Sequence, residues 1–290
     1  MTTVGFIGLG SMGLPMAENL AKHGFSVRGF DVRPGAVATL ARAGGTRAAS
    51  AAEASAGADV LVLMVVNAAQ AEAILFTDGA LAAVPENGIV VLMATCPPGA
   101  VENIAARVLE AGRGFVDAPV SGGVVGAESA TLTIMAAAPQ AAFEAARPVL
   151  DALGDKVLHV GEKPGQGAMV KTVNQLLCGV HIAVAAEGLS LAAKVGVDLE
   201  IMLKILSGSS ASSWMLKDRG PRMLQADPEV TSAIDIFVKD LGIVLEAGRD
   251  VKAALPLAAL AHQMFLAVSG QDGGADDSQV IRAYQALNAR

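Results

Sequence analysis

The segment TVGFIGLGSMGLPMAENLAKHGFSVRGFD, residues 3–31, runs from a short apolar stretch through three glycines to an aspartate. Gly8, Gly10 and Gly13 have G-x-G-x-x-G spacing, follow a predicted strand directly and open a predicted helix. A second predicted strand then ends in Asp31, eighteen positions past Gly13. Each part has a task in holding a dinucleotide. Gly8 permits a tight turn, Gly10 lets the backbone approach a pyrophosphate, and Gly13 allows close packing of helix on strand. Leu9, Ser11 and Met12 complete the loop. The helix start offers N–H groups and a positive dipole end to phosphate. Asp31 can accept both hydroxyls of an adenosine ribose and repels a 2′-phosphate. Val32 follows it, with Arg33 one place later, so NAD is favoured over NADP. A bare glycine motif also occurs in structural turns; the coincidence of strand, loop, helix and acid selects the nucleotide reading.

The first half alternates short apolar runs with alanine-rich amphipathic segments. Strands are predicted at 3–8, 26–31, 59–66, 88–95, 114–119, 132–137 and 156–161, with helices at 12–23, 35–43, 68–75, 98–112 and 140–152. This alternation predicts a doubly wound parallel sheet covered on both faces, a Rossmann-type α/β domain over 1–163. After KPGQG (163–167) no strand pattern recurs. Residues 168–196 read as one long interdomain helix, apolar nearly all round and therefore buried, that leads into an all-α domain spanning 164–290.

A chain of 290 residues with a formal charge of −7 does not suit nucleic acid or an anionic membrane as partner. The hydrophobic share, 53%, is high enough to expect large buried interfaces and hence a homodimer or homotetramer. No apolar stretch reads as a membrane span, no basic leader precedes the first strand, and Cys96 and Cys178 make neither a disulfide framework nor a metal site. The expectation is a cytoplasmic protein without a metal.

Lys171 interrupts the apolar helix, and at 100° per residue it shares a stripe with Asn174, Gln175, Cys178 and His181. Desolvating an ammonium is costly and favours the neutral amine, which suits an acid–base group at a carbinol oxygen. A lysine near a helix start can also snorkel to solvent, and periodicity alone leaves both readings open. His181 reads as a satisfied helix histidine, and Trp214 and Arg219 as packing and surface residues.

Four motifs in order now support a wider resemblance. GFIGLGSMGLPMAENL, DAPVSGG (117–123), GQGAMVKTVNQ and FVKDLGIVLEAG (237–248) resemble the signatures of the β-hydroxyacid dehydrogenases, the family of 3-hydroxyisobutyrate dehydrogenase and tartronate semialdehyde reductase. The resemblance covers essentially the whole chain. Two positions depart from the common pattern: Gln175 stands where Asn is usual, and Ala94-Thr95 where Ser-Thr is usual. Gln175, MVVNAAQAEAILF (64–76) and DDSQVI (276–281) look most like the L-threonate dehydrogenase branch, which oxidises four-carbon sugar acids.

The resemblance implies NAD-dependent hydride transfer with a small anionic hydroxy acid and no metal. It implies Lys171 as the general acid/base, Ser121, Gly122 and Gly123 as the carboxylate site, and Asn174 or Gln175 as the group that orients lysine or substrate. It also puts Met64, Val65, Thr95 and Lys239 beside the nicotinamide half of the cofactor. From the sequence alone, Lys239-Asp240 equally reads as a solvated helix face. The alternatives are a 3-hydroxyisobutyrate or tartronate semialdehyde enzyme of the same fold, and a non-catalytic cofactor-binding protein.

Overall fold

The computed structural model, which describes residues 1–289, contains all seven predicted strands and adds two of two residues each. In chain order they are β1 (Thr3–Ile7), β2 (Ser26–Phe30), β3 (Thr46–Arg47), β4 (Val60–Leu63), β5 (Ile89–Leu92), β6 (Gly114–Asp117), β7 (Val120–Ser121), β8 (Thr133–Ala137) and β9 (Lys156–Gly161). Along the sheet the order is β3-β2-β1-β4-β5-β6-β8-β7, with β9 also paired to β8. Strands β1 to β6 pair in parallel, as does β9 with β8. The expected all-parallel sheet is corrected at one place: β8 runs antiparallel to β6 and β7. A strand buried on both faces has the same apolar pattern in either direction, so the reversal leaves no local signature.

The helices of this region are α1 (Gly13–Lys22), α2 (Pro34–Arg42), α3 (Ala51–Ser55), α4 (Ala68–Glu72), α5 (Ala80–Ala83), α6 (Pro98–Glu110), α7 (Gly123–Glu128) and α8 (Gln140–Asp151). Successive strand residues supply opposite cores, because side chains alternate across a pleated strand. Val60 and Val62 join Val4, Phe6, Met16, Leu20 and Leu40 on one face. Leu61 and Leu63 join Ile7, Val90, Leu92, Ile104 and Val108 on the other. Each large side chain so buried contributes about 1.5–3 kcal/mol of transfer free energy. This two-sided core is the physical content of a doubly wound sheet.

Then follow α9 (Gln166–Lys194), α10 (Leu199–Gly208), α11 (Trp214–Met223), α12 (Ile234–Asp250), α13 (Pro256–Asp272) and α14 (Ile281–Asn288). The chain divides into two compact units, Met1–Lys171 and Thr172 onward, with the division inside α9. The second unit is helical around its own core, to which α9 contributes Ile182, Ala183, Ala185, Ala186 and Leu189.

Helix α9 corrects two expectations. It is apolar all round but not buried all round: Val173, Leu177, Val184 and Leu191 are at least half exposed along one side. Only one stripe of a helix can face a single core, so uniform apolarity does not decide what covers the rest. Helix α9 is also long and apolar enough, by length and composition, to cross a membrane, with a mean hydropathy of 1.7 over its most apolar window. His181 and Glu187 within it are groups that hydrocarbon would penalise by several kcal/mol.

The glycine loop makes a sharp stability prediction. A methyl group at residue 13 would stand 1.8 Å from the Gly8 carbonyl oxygen, whereas one at Gly99 meets nothing within 4 Å. Gly13→Ala is expected to lower unfolding free energy by at least about 2 kcal/mol, and Gly99→Ala to change it by about 0.5 kcal/mol or less. Urea denaturation of the two variants checks this; equal midpoints would contradict the packing assigned to Gly13.

Candidate active site

The order β3-β2-β1-β4 reverses between β1 and β4, and in open α/β sheets ligands bind beyond the carboxyl ends of strands at such a point. Gly8 leaves β1 here with φ +94°, a conformation that side chains disfavour. A Cβ on it would lie 2.2 Å from the Met64 carbonyl oxygen and 3.3 Å from Val65 Cγ1, so Met64 and Val65, expected beside the nicotinamide, stand against the glycine turn. At Gly10 a Cβ would meet only Arg33 Nη2, at 3.5 Å, so this turn of backbone is open to a close-fitting ligand. Leu9 is buried beneath the turn while Ser11 is exposed on it. No side chain caps the start of α1 at Met12, and its first turn carries no acid. The cradle therefore fits a pyrophosphate at a helix N-terminus.

Asp31 closes the cradle. Its Oδ2 accepts from the Leu9 N–H at 2.7 Å, and its Oδ1 accepts from the Arg33 N–H at 2.8 Å. The Arg33 guanidinium also pairs with it at 3.1 Å and donates to the Leu9 carbonyl. Burial pushes the carboxyl up, but the Arg33 and Leu9 hydrogen bonds outweigh it and hold the group below its ordinary value. Arg33 Nη2 also lies 3.4 Å from Oδ2, so each carboxylate oxygen already accepts two N–H groups from Leu9 and Arg33.

Ser121 ends β7, and Gly122 and Gly123 follow with φ +136° and +63°, so the chain turns into α7 through two positions that favour glycine. The buried Asn19 of α1 donates to the Ala127 and Glu128 carbonyls of α7, at 2.8 and 3.2 Å. One side chain thus joins the nucleotide-loop helix to the helix opened by the Ser-Gly-Gly turn. Thr95, half-buried, follows the carboxyl end of β5.

Asp117 sits at the end of β6, 1% exposed, and has no counterpart among the predicted site residues. Its Oδ2 accepts the Gly165 N–H at 3.0 Å and the Ala168 N–H at 2.9 Å, at the start of α9. Burial pushes its carboxyl up to about 6, against the lowering effect of the Ala168, Gly165 and Gly167 N–H groups. Lys171, one turn beyond Ala168, is 6% exposed, so it is not the snorkelling lysine that periodicity left open.

In the second unit, Gln175 donates to Oδ2 of the buried Asp240, and Oδ1 of Asp240 pairs with Lys239 Nζ at 2.6 Å. Asn174 donates to the Gln175 amide oxygen at 2.9 Å and to Cys178 Sγ at 3.4 Å. Asn174, Gln175 and Lys239 therefore belong to one network organised by Asp240, and the Lys-Asp pair is not a solvated face. The signal for Asp240 was present in FVKDLG, but a carboxylate beside a lysine on an amphipathic helix ordinarily faces water. Arg219 is corrected from a surface residue: it is buried, with Nε and Nη2 each 2.8 Å from the two oxygens of Asp277. Trp214 is exposed.

Residues 3–161 match the model of the NAD-binding domain of 6-phosphogluconate dehydrogenase, and residues 165–284 match the NAD-binding model of NADP-dependent 3-hydroxyisobutyrate dehydrogenase. The chain is 44% identical to an L-threonate dehydrogenase of Cupriavidus necator, over 98% of this chain and 96% of that one. It is 35% identical to a 3-hydroxyisobutyrate dehydrogenase of Pseudomonas aeruginosa, over 98% and 99% of the two chains. A crystal structure of 3-hydroxyisobutyrate dehydrogenase from Salmonella typhimurium superposes with a TM-score of 0.93 at 39% identity, covering 97% of this chain and 99% of that one. The open glycine cradle and this full-length likeness agree: the chain belongs to the β-hydroxyacid dehydrogenase family and is an NAD-binding oxidoreductase.

Proposed function

We propose that this enzyme oxidises a four-carbon sugar acid, L-threonate or a close relative, with NAD as hydride acceptor and Lys171 as the proton acceptor. The observation that carries the substrate reading is the 44% identity, end to end, with an L-threonate dehydrogenase. For the proton acceptor it is an amine, 6% exposed, held within the first two turns of a long helix. NAD supplies the site that takes the hydride from the carbinol carbon. The chain's own residues do the rest. Ser121, Gly122 and Gly123 hold the substrate carboxylate through a hydroxyl and backbone N–H groups. Lys171, neutral, takes the hydroxyl proton as the C–O bond becomes a carbonyl, and returns it when the reaction runs in reverse. Gln175, tied to Asp240, and Asn174 present neutral hydrogen-bonding groups toward substrate or lysine. Gly8 through Gly13 hold the pyrophosphate and Asp31 the ribose, with Met64, Val65, Thr95 and Lys239 toward the nicotinamide.

We also infer that copies of the chain associate through the exposed apolar side of α9. Val184 and Leu191 on that side are more than half exposed, an arrangement that solvent disfavours.

Four measurements follow. Rates of NADH formation are expected to give L-threonate a kcat/KM at least about tenfold above that of 3-hydroxyisobutyrate, since a site built for hydroxyl groups rejects an analogue lacking them. Lys171→Ala should lose about 10²–10⁴-fold in kcat while NAD still binds; full turnover without the amine would refute its role. Asp31→Ala is expected to shift the ratio of NAD to NADP efficiency toward NADP by about tenfold, as a carboxylate that repels a 2′-phosphate is lost and Arg33 is released. An unchanged ratio would remove Asp31 from cofactor choice. In light scattering the protein should run at a multiple of its 29.2 kDa chain mass, and Leu191→Glu should move it toward that mass. A wild-type monomer would contradict association through α9.

A further inference from the structure

We propose that Asp117 is a positioning residue for the reaction: its buried carboxylate anchors the first turn of α9 to the sheet and so sets where Lys171 presents its amine. This inference rests on the reading of Lys171 as the proton acceptor. Helix starts are ordinarily capped by a side chain next to them in sequence, and such a cap only ends the helix. Here the acceptor comes from a residue 48 positions before Gly165 and 51 before Ala168. Such a bond ties the helix to another element.

That other element is a strand paired on both sides. Asp117 is registered against Leu92 of β5 and against Ala137 of β8, so the backbone of the carboxylate is held from both sides. The helix in turn approaches as closely as backbone allows. A Cβ on Gly167 would lie 2.5 Å from the Met135 carbonyl oxygen, 2.8 Å from the Asp117 carbonyl oxygen and 3.0 Å from Asp117 Cγ. Any side chain at 167 would push the first turn off the sheet. The first and second glycines of the GQG that precedes Lys171 are thus the donor and the close-packing position of one clamp. From Ala168 to Lys171 is three residues, about 4.5 Å along a stiff helix at 1.5 Å per residue, so a displacement of the clamp is passed on to the lysine with little damping. A negative charge at this helix end is also the sign that the helix dipole favours.

The test uses the full chain, NAD and the best substrate of the panel above. Asp117→Ala is expected to lower kcat about 10²-fold, the effect of a misplacement near 1 Å, with the Kd for NAD unchanged to about twofold. Asp117→Asn is expected to recover kcat to within about tenfold of wild type, because the Gly165 and Ala168 N–H groups converge on one oxygen and an amide oxygen can accept both. If Asp117→Ala loses thermal stability but keeps its kcat at low temperature, the residue is structural only and the inference is overturned. Lys171→Ala, assayed in parallel, separates the two readings. An inactive Lys171→Ala beside a fully active Asp117→Ala overturns only the positioning role, whereas an active Lys171→Ala overturns both. Should Asp117→Ala not fold, amide exchange on the wild-type protein decides: the Gly165, Gly167 and Ala168 amides are expected to be as protected as the sheet, and exchange at open-loop rates would overturn the clamp.

Discussion

The approach of backbone to backbone at the end of β1 sets the terms for the nucleotide-binding half of the molecule. Gly8 and Gly13 let the start of α1 come so close to the turn that a single methyl group would collide with a carbonyl oxygen. Because of that approach, the helix start points at the edge where β1 and β4 part, and the carbonyl of Met64 comes up against the loop. The ligand site is thus a by-product of packing: a space that any larger side chain would fill has been left between a helix dipole and two strand ends.

Buried carboxylates perform the second kind of work. In a chain that is 53% hydrophobic, three of the buried aspartates, Asp117, Asp240 and Asp277, are each surrounded by donors. Asp117 takes backbone N–H groups, Asp240 an amide and an ammonium, and Asp277 a guanidinium held at two points. Removing such a group from water is worthwhile only when its partners are fixed, and fixed partners are what a catalytic arrangement needs. The apolar bulk supplies the free energy of folding; these few polar groups specify geometry.

The helix α9 illustrates how far sequence patterns carry. Its existence, length and the lysine near its start are all readable from KTVNQLLCGVHIAVAAEG, since a long apolar run with helix-forming residues has one good solution. Its surroundings are not readable. The same apolar pattern is compatible with burial, with an exposed stripe awaiting another surface, or with a bilayer, and the structure leaves one side open. Likewise Lys171 could be recognised as unusual for its setting, while only burial separated it from a lysine reaching for solvent.

What the sequence determined by itself was local. Strand alternation, helix periodicity, the glycine spacing and the acid at 31 are relations among residues near one another along the chain, and backbone sterics enforce them wherever the chain goes. Tertiary structure decided the rest: the reversed strand β8, the fixing of Gln175 by Asp240, and the reach of Asp117 to a helix start 48 residues away. Those relations join residues far apart in the chain. Their energies depend on which groups are excluded from water together, and no stretch of sequence carries that information until the chain has folded.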